Sequence, residues 1–184
     1  MTLDVLGLIA QVLGLVLVAA SLVFVGFQMR QTHAIETGNA QRDIWNQTRD
    51  WWMIPVQDEA WFDTISAGLH DFRNLERFQQ ARFNAWGFNL LHILEGVYFQ
   101  KHSGLLSSTI HDGYVLAVLA ILKTPGGKMW WDDEASKVVN AEFSAYLSKR
   151  LAAEAATLPV WTDLLPHFRQ AFVQPVQPAQ RPTA

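Results

Sequence analysis

The chain has no cysteine among its 184 residues. Disulfide bonds, thiolate metal sites and cysteine nucleophiles are therefore excluded. An excess of positive charge is also missing, since 14 Lys and Arg stand against 17 Asp and Glu. Proteins that bind nucleic acids usually carry a basic surface, so we expect no nucleic-acid partner. Extensive disorder is excluded as well, because eight Trp and eleven Phe provide enough apolar surface for a core.

Catalytic motifs are missing too. No G-x-S-x-G sequence surrounds a serine, so Ser107 or Ser108 is not expected to form a hydrolase triad with His111 and either Asp112 or Asp71. The run Gly126-Gly127-Lys128 lacks the upstream glycine and the following Ser or Thr of a phosphate-binding loop. The sequence predicts no enzymatic activity and no cofactor.

Charge is absent from one long stretch near the N-terminus. Residues 5–27 hold 18 apolar residues and no charge, after a short tail at 1–4. A helix of that length rises about 34 Å, which exceeds a hydrocarbon core of about 30 Å. We therefore expect a single transmembrane helix at 5–27 in contact with the lipid bilayer. A cleaved signal peptide, the alternative, needs a positively charged start that residues 1–4 do not provide.

The basic residues beside this segment predict its orientation. Arg30, Arg42 and Arg49 follow it, whereas no Lys or Arg precedes it. Positive charge is enriched on the cytoplasmic side of membrane helices. The pattern favours an N-terminus outside the cytoplasm and a C-terminal domain inside it.

The membrane segment has one face of small residues. Gly7, Gly14 and Ser21 recur every seven residues, and Gln11 lies beside them. Small residues at this spacing let a second helix approach closely, and an amide can hydrogen-bond across the contact. We expect this face to pack against another membrane protein or a second copy of the chain. The alternative is that Gly and Ser are simply common in membrane helices.

The remainder of the chain shows the periodicity of helices. We expect an all-α fold in which the transmembrane helix continues to Pro55 and joins a compact bundle over residues 28–172. Asp58 and Asn74 are expected to cap the next two helices, and Gly104 to end the second of them. Residues 173–184 are rich in Pro and Gln and are expected to form an extended tail.

Further boundaries follow from turn residues. Ser107 or Ser108 is expected to begin a helix that runs to Leu122. Residues 124–127, Thr-Pro-Gly-Gly, predict a type II turn. A single long helix is expected over 128–156, with Val138 and Val139 among its inward residues.

Five short segments carry a distinctive combination of aromatic and polar residues: 27–32, 74–78, 94–100, 125–131 and 142–143. The fourth reads Pro-Gly-Gly-Lys-Met-Trp-Trp. Over residues 5–151 they resemble a widespread, uncharacterised family of bacterial single-pass membrane proteins. The resemblance implies an anchor in the bacterial inner membrane and a small helical domain. It implies no activity and no catalytic residue.

The candidate metal ligands are two pairs of residues with the same spacing, His33 with Glu36 and His92 with Glu95. Residues three apart lie on one helix face, and helical bundles hold metals through such pairs. The order of His and Glu is reversed relative to known di-metal bundles, and further carboxylate ligands are not evident. Chance spacing is therefore the alternative, and we predict no metal site.

Glu95 is also a candidate buried polar site with His92, because Leu91, Tyr98 and Phe99 surround it on the helix. A buried carboxylate is either functional or held by a structural partner. We expect a structural carboxylate held by an arginine or a tyrosine hydroxyl. The candidate arginines are Arg42, Arg49 and Arg82.

Two tryptophan pairs, Trp51–Trp52 and Trp130–Trp131, are candidate interface aromatics. Adjacent residues on a helix point about 100° apart, so one ring of each pair is expected in the core and the other at its edge. An edge indole is suited to contact lipid headgroups or a protein partner.

These features favour a membrane-anchored interaction or structural module, such as an accessory subunit or scaffold at the inner membrane. One alternative is a metal-binding or enzymatic bundle that uses His92 and Glu95, with His33 and Glu36. Another alternative is a sensor that binds an apolar small ligand between its helices.

Overall fold

The structure is a computed structural model, and it describes residues 3–154, 156–166 and 168. Over these residues the chain is helical, with no strand, so the predicted all-α class is confirmed. The predicted tail at 173–184 lies outside the described residues. The helices are, in chain order, α1 (Leu3–Gln57), α2 (Glu59–His70), α3 (Arg77–His102), α4 (Ser108–Leu122), α5 (Pro125–Trp130), α6 (Ser136–Val138), α7 (Ala141–Glu154) and α8 (Trp161–Leu164).

The chain divides into two compact units, Met1–Arg42 and Asp43–Ala184. The described part of the first unit is the N-terminal part of α1, and its large apolar side chains from Leu6 onward are exposed; Leu15, for example, is 74% exposed and Phe27 is 67% exposed. In the described part of the chain, α1 is the one helix that is long and apolar enough to cross a membrane.

Helix α1 passes Arg30 without interruption, as predicted, but it ends at Gln57 rather than at Pro55. A proline removes a single hydrogen bond to the residue four positions earlier. Because Pro55 lies in the last turn of α1, that loss does not stop the two following residues from keeping helical geometry.

The second unit has an aromatic core with α3 at its centre. Trp86 and Phe83 of α3 are buried, and their rings lie 5.6 Å apart. Phe83 also contacts Phe72 and, edge to face, Trp130. Aromatic pairs at these distances add to the stabilisation from burial alone. The core therefore joins α3 to α5 and to the 3₁₀ turn Phe72–Asn74.

Gly126 allows α2 and α5 to approach closely. A Cβ placed on Gly126 would lie 1.8 Å from the carbonyl oxygen of Gly68.

The prediction of a type II turn at 124–127 was wrong, because Thr124 instead caps α5 and Pro125 occupies the first position of that helix. Proline is favoured there because its missing N–H would have no partner. Gly126 therefore serves the packing of α5 on α2 rather than a turn.

The single long helix predicted over 128–156 is interrupted. A π-helical turn, Trp131–Ala135, follows α5, and extended backbone at Val139 separates α6 from α7. Asn140 then caps α7, since its Oδ1 accepts the N–H of Glu142 at 2.9 Å. The interruption buries Val139 and leaves Val138 61% exposed, although a continuous helix was expected to turn both inward.

Most of the residues predicted to begin or end a helix do so in the structure. Asp58 caps α2 by accepting the N–H of Ala60, and Ser107 caps α4. Gly104 has a φ of 74° and follows the end of α3, as predicted for a residue that terminates a helix. Asn74 was wrong as the cap of α3, because it belongs to the 3₁₀ turn and Glu76 takes that position.

Candidate functional site

The second unit contains a pocket with a volume of about 390 Å³. We call it the tryptophan pocket, because four indole rings contribute to its wall. Small-molecule sites in proteins begin at about this size and are mainly apolar. Its lining residues are Trp45, Thr48, Trp51, Trp52, Leu90, Thr109, Ile110, Gly113, Tyr114, Ala117, Ile121 and Trp161.

The inner wall of the tryptophan pocket is fixed to the core through Trp51. The Trp51 ring stacks on Trp86 at 5.1 Å, and its Nε1–H donates to the Trp86 carbonyl oxygen at 3.0 Å. Both rings are buried. A wall held by stacking and a hydrogen bond is preorganised, which reduces the free-energy cost of binding.

The outer wall is formed by rings that remain in contact with solvent. Trp52 is 39% exposed and stacks on Trp161 at 5.5 Å, while Trp45 is 63% exposed. The prediction of one buried and one edge ring is therefore confirmed for Trp51 and Trp52. Exposed indoles beside a preformed wall offer apolar area that a bound molecule would cover.

The same prediction was wrong for Trp130 and Trp131, which are both buried. Trp130 donates to Asn84 Oδ1 at 2.6 Å, and Trp131 donates to Ser148 Oγ at 3.3 Å. The two rings leave the backbone where α5 passes into the π-helical turn, and helices pack on both sides of it. This pair offers no ring to an interface within the described structure.

Polar groups in the tryptophan pocket are few. The Thr48 and Tyr114 hydroxyl oxygens lie 3.0 Å apart, and Thr48 Oγ1 is 2.7 Å from the Ile44 carbonyl oxygen. The described lining contains no Asp, Glu, Lys, Arg or His. A charged molecule would lose its hydration there without gaining an ionic partner, so the wall favours neutral molecules.

Glu95 occupies a structural position outside this pocket. Its Oε1 accepts the backbone N–H of Asn140 at 2.9 Å, and its Oε2 lies 3.5 Å from Nδ1 of His92. The prediction that an arginine or a tyrosine hydroxyl holds Glu95 was wrong. Tyr98 instead donates to Glu142, and Arg82 lies over the Phe78 ring. Glu95 is 20% exposed and helps fix the residue that caps α7.

The candidate metal ligands do not form a complete set. His92 and Glu95 are in contact, but His92 is 60% exposed. Across the described residues no group of three or more His, Asp or Glu side chains could hold a metal ion. His33 and Glu36 lie in the first unit, on the exposed surface of α1.

A buried histidine forms a second polar cluster in the described part of the second unit. His111 is 1% exposed, and its Nδ1 lies 2.9 Å from Asp112 Oδ1. The Tyr146 hydroxyl lies 3.5 Å from Nε2 and accepts a hydrogen bond from Arg150 at 2.9 Å. Burial lowers the pKa of His111, although the hydrogen bond to Asp112 acts in the opposite direction. Both ring nitrogens have partners, which is typical of a structural role.

The small-residue face of α1 lies in the first unit. Cβ atoms added at Gly7 and Gly14 would meet no described atom within 4 Å. Ser21 donates to the Leu17 carbonyl oxygen at 2.8 Å, and Gln11 is exposed. The residues therefore leave room for an approaching helix, and their packing partner stays a prediction.

Most of the tryptophan pocket was not predicted from the sequence. Trp51 and Trp52 were candidate interface residues, but Thr48, Tyr114 and Trp161 were not candidates. Thr48 and Tyr114 are 66 residues apart, and nothing in their local sequence indicates that they meet. The one available signal was the concentration of Trp in residues 45–52.

Over the described residues, fold and site together define a helical protein with one apolar N-terminal helix and a pocket lined by aromatic rings. Comparisons with protein-family models, curated proteins and solved structures find no match to the chain. The resemblance to bacterial single-pass membrane proteins therefore stays a prediction.

Proposed function

We propose that this protein is a membrane-anchored binding module whose helical unit takes up a neutral, largely apolar small molecule. The observation that carries the proposal is the tryptophan pocket, with four indoles around about 390 Å³ and no charged side chain in its described lining. This develops the sensor hypothesis, since a sensor must first bind its ligand.

The size of the apolar wall sets the expected affinity. A bicyclic aromatic molecule that removes about 250 Å² of apolar surface from water gains roughly 6 kcal/mol. Part of this is lost with the free motion of the ligand, so we expect weak binding, with a dissociation constant no tighter than about 100 μM. Trp45 and Trp52 contribute most of the gain because they are the exposed rings.

The anchor is proposed from the exposure of α1. Large apolar side chains such as Leu8, Leu15 and Leu17 are more than half exposed. Such a surface is unfavourable in water but favourable in lipid, which supports insertion into a bacterial inner membrane. We propose a single pass with the N-terminus outside, based on Arg30 and Arg42. Contact with a membrane partner through Gly7, Gln11, Gly14 and Ser21 is part of the same proposal.

The binding proposal is tested by calorimetry on the full chain in lipid nanodiscs, with empty nanodiscs as the blank. The titrants are naphthalene, 2-naphthol and 2-methoxynaphthalene, which fit the volume of the pocket. We expect saturable binding of at least one of them. No saturable binding of any titrant would contradict the proposal.

A matched pair of variants locates the binding. Gly113 lines the tryptophan pocket and Gly96 does not, and a Cβ at either position would meet no described atom within 4 Å. Gly113→Leu therefore fills the pocket, and we expect it to abolish binding. Gly96→Leu adds the same side chain elsewhere and should bind normally. Equal binding by both variants would place the ligand outside the pocket.

The anchor has its own tests. The full chain should remain with membranes after carbonate extraction, and a phosphatase fused to the C-terminus should be inactive. Strong activity of that periplasmic reporter would reverse the proposed orientation.

A further inference from the structure

The hydroxyl pair in the tryptophan pocket has a defined direction. Thr48 Oγ1 lies 2.7 Å from the Ile44 carbonyl oxygen, which can only accept a hydrogen bond. Thr48 has a single hydroxyl proton, so this bond uses it. The 3.0 Å contact between Thr48 and Tyr114 must then use the proton of Tyr114.

This direction determines what Tyr114 offers to a ligand. Its proton is committed to Thr48, while its oxygen retains the capacity to accept. Among the described residues no donor hydrogen-bonds to that oxygen. Tyr114 therefore presents an acceptor, not a donor, at the wall of the pocket.

The other polar groups of the lining offer little further hydrogen bonding to a ligand. The Trp51 N–H is used by the Trp86 carbonyl oxygen, and the Trp161 N–H is covered by protein atoms and finds no acceptor in the described structure. Thr109, Trp45 and Trp52 belong to exposed positions at the rim. Replacing water at an exposed group has a small net effect on affinity.

We infer that the tryptophan pocket selects apolar molecules that carry one hydrogen-bond donor, such as a phenol, an indole or an alcohol, with the donor placed on the Tyr114 oxygen. This inference rests on the proposed function and specifies its ligand class. A molecule of the same shape whose polar atom only accepts leaves Tyr114 without a partner.

The test compares 2-naphthol, which donates, with 2-methoxynaphthalene, which has the same ring but no donor. A purely apolar pocket would prefer the methoxy compound, because that compound loses less hydration on burial. We expect the opposite order, with 2-naphthol binding three- to tenfold more tightly to the full chain in nanodiscs. This ratio corresponds to the net value of one hydrogen bond.

The substitution Thr48→Val should change the preference. Valine keeps the branched shape but removes the acceptor for Tyr114, so the tyrosine proton becomes available to a ligand. We expect 2-methoxynaphthalene to bind at least threefold more tightly to Thr48→Val than to the wild type. Tyr114→Phe removes both functions and should bind 2-naphthol more weakly than the wild type does. Circular dichroism checks that both variants are folded.

The outcomes separate the two proposals. If no titrant binds the wild type, the proposed function fails. If both compounds bind with the apolar order of affinity, and Thr48→Val leaves that order unchanged, the pocket binds ligands but the hydrogen-bond inference is wrong. A gain for the methoxy compound in Thr48→Val is not expected from a merely structural threonine.

Discussion

The close contact between α2 and α5 can be tested with the substitution Gly126→Ala. The new Cβ would lie 1.8 Å from the carbonyl oxygen of Gly68, whereas ordinary van der Waals contact begins at 3.4 Å. The helices would have to separate by about 1.6 Å, which is 3.4 Å minus 1.8 Å. The blocking atom belongs to the backbone, so no side-chain rotation can relieve the clash.

The expected loss of stability follows from that displacement. Overpacking in a core usually costs about 1–3 kcal/mol, and a gap of 0.5–1 Å already loses a quarter to a half of the dispersion energy. A displacement of about 1.6 Å beside the buried Trp130 ring should exceed the upper value. We therefore expect Gly126→Ala to lower the free energy of unfolding by more than about 3 kcal/mol.

The control is Gly96→Ala in the interior of α3. A Cβ at Gly96 would meet no described atom within 4 Å, so alanine should raise stability by about 0.5–1 kcal/mol through its higher helix propensity. Urea unfolding of the full chain in detergent, followed by tryptophan fluorescence and circular dichroism, measures both variants. A free energy of unfolding for Gly126→Ala within about 1 kcal/mol of the wild-type value would refute the close packing of α2 on α5.

Three further predictions concern single polar contacts. Asn140→Ala should lower the free energy of unfolding by about 1 kcal/mol, because Asn140 caps α7; a loss below 0.3 kcal/mol in urea titrations would argue against the cap. Tyr98→Phe should cost about 0.5–1.5 kcal/mol by removing the 2.8 Å bond to Glu142, and unchanged stability would show that the bond contributes nothing. Stability should fall as pH drops below about 6.5, because unfolded His111 takes up a proton that the folded state, with its lowered pKa, resists. His111→Gln should reduce that slope, and an identical slope would assign the pH dependence to other groups.

The features that sequence analysis predicted are those determined by neighbouring residues. Asp58, Gly104 and Ser107 act on helix ends within three residues of themselves, so their types were sufficient. The long apolar segment was equally clear, because a membrane span requires a continuous run of residues.

The features that it missed depend on residues far apart in the chain. The local sequence around Gly126 is typical of a turn, and only the structure shows that this residue lies against Gly68. One ring of the Trp130–Trp131 pair was expected at an edge, because the π-helical turn beside which both are buried has no sequence signal we used. The tryptophan pocket depends on helices separated by more than 60 residues, so its ligand chemistry could not be derived from local patterns.

The stacked indoles of the tryptophan pocket also have an optical consequence. Trp52 and Trp161 lie 5.5 Å apart with their planes inclined at 28°, and Trp51 and Trp86 lie 5.1 Å apart at 23°. Indole transitions at such separations couple as excitons and add a band of opposite-signed lobes to the far-ultraviolet circular dichroism. The first pair borders the pocket, so a bound molecule that shifts either ring changes this band while the helices stay intact. The protein therefore carries its own unlabelled reporter of pocket occupancy.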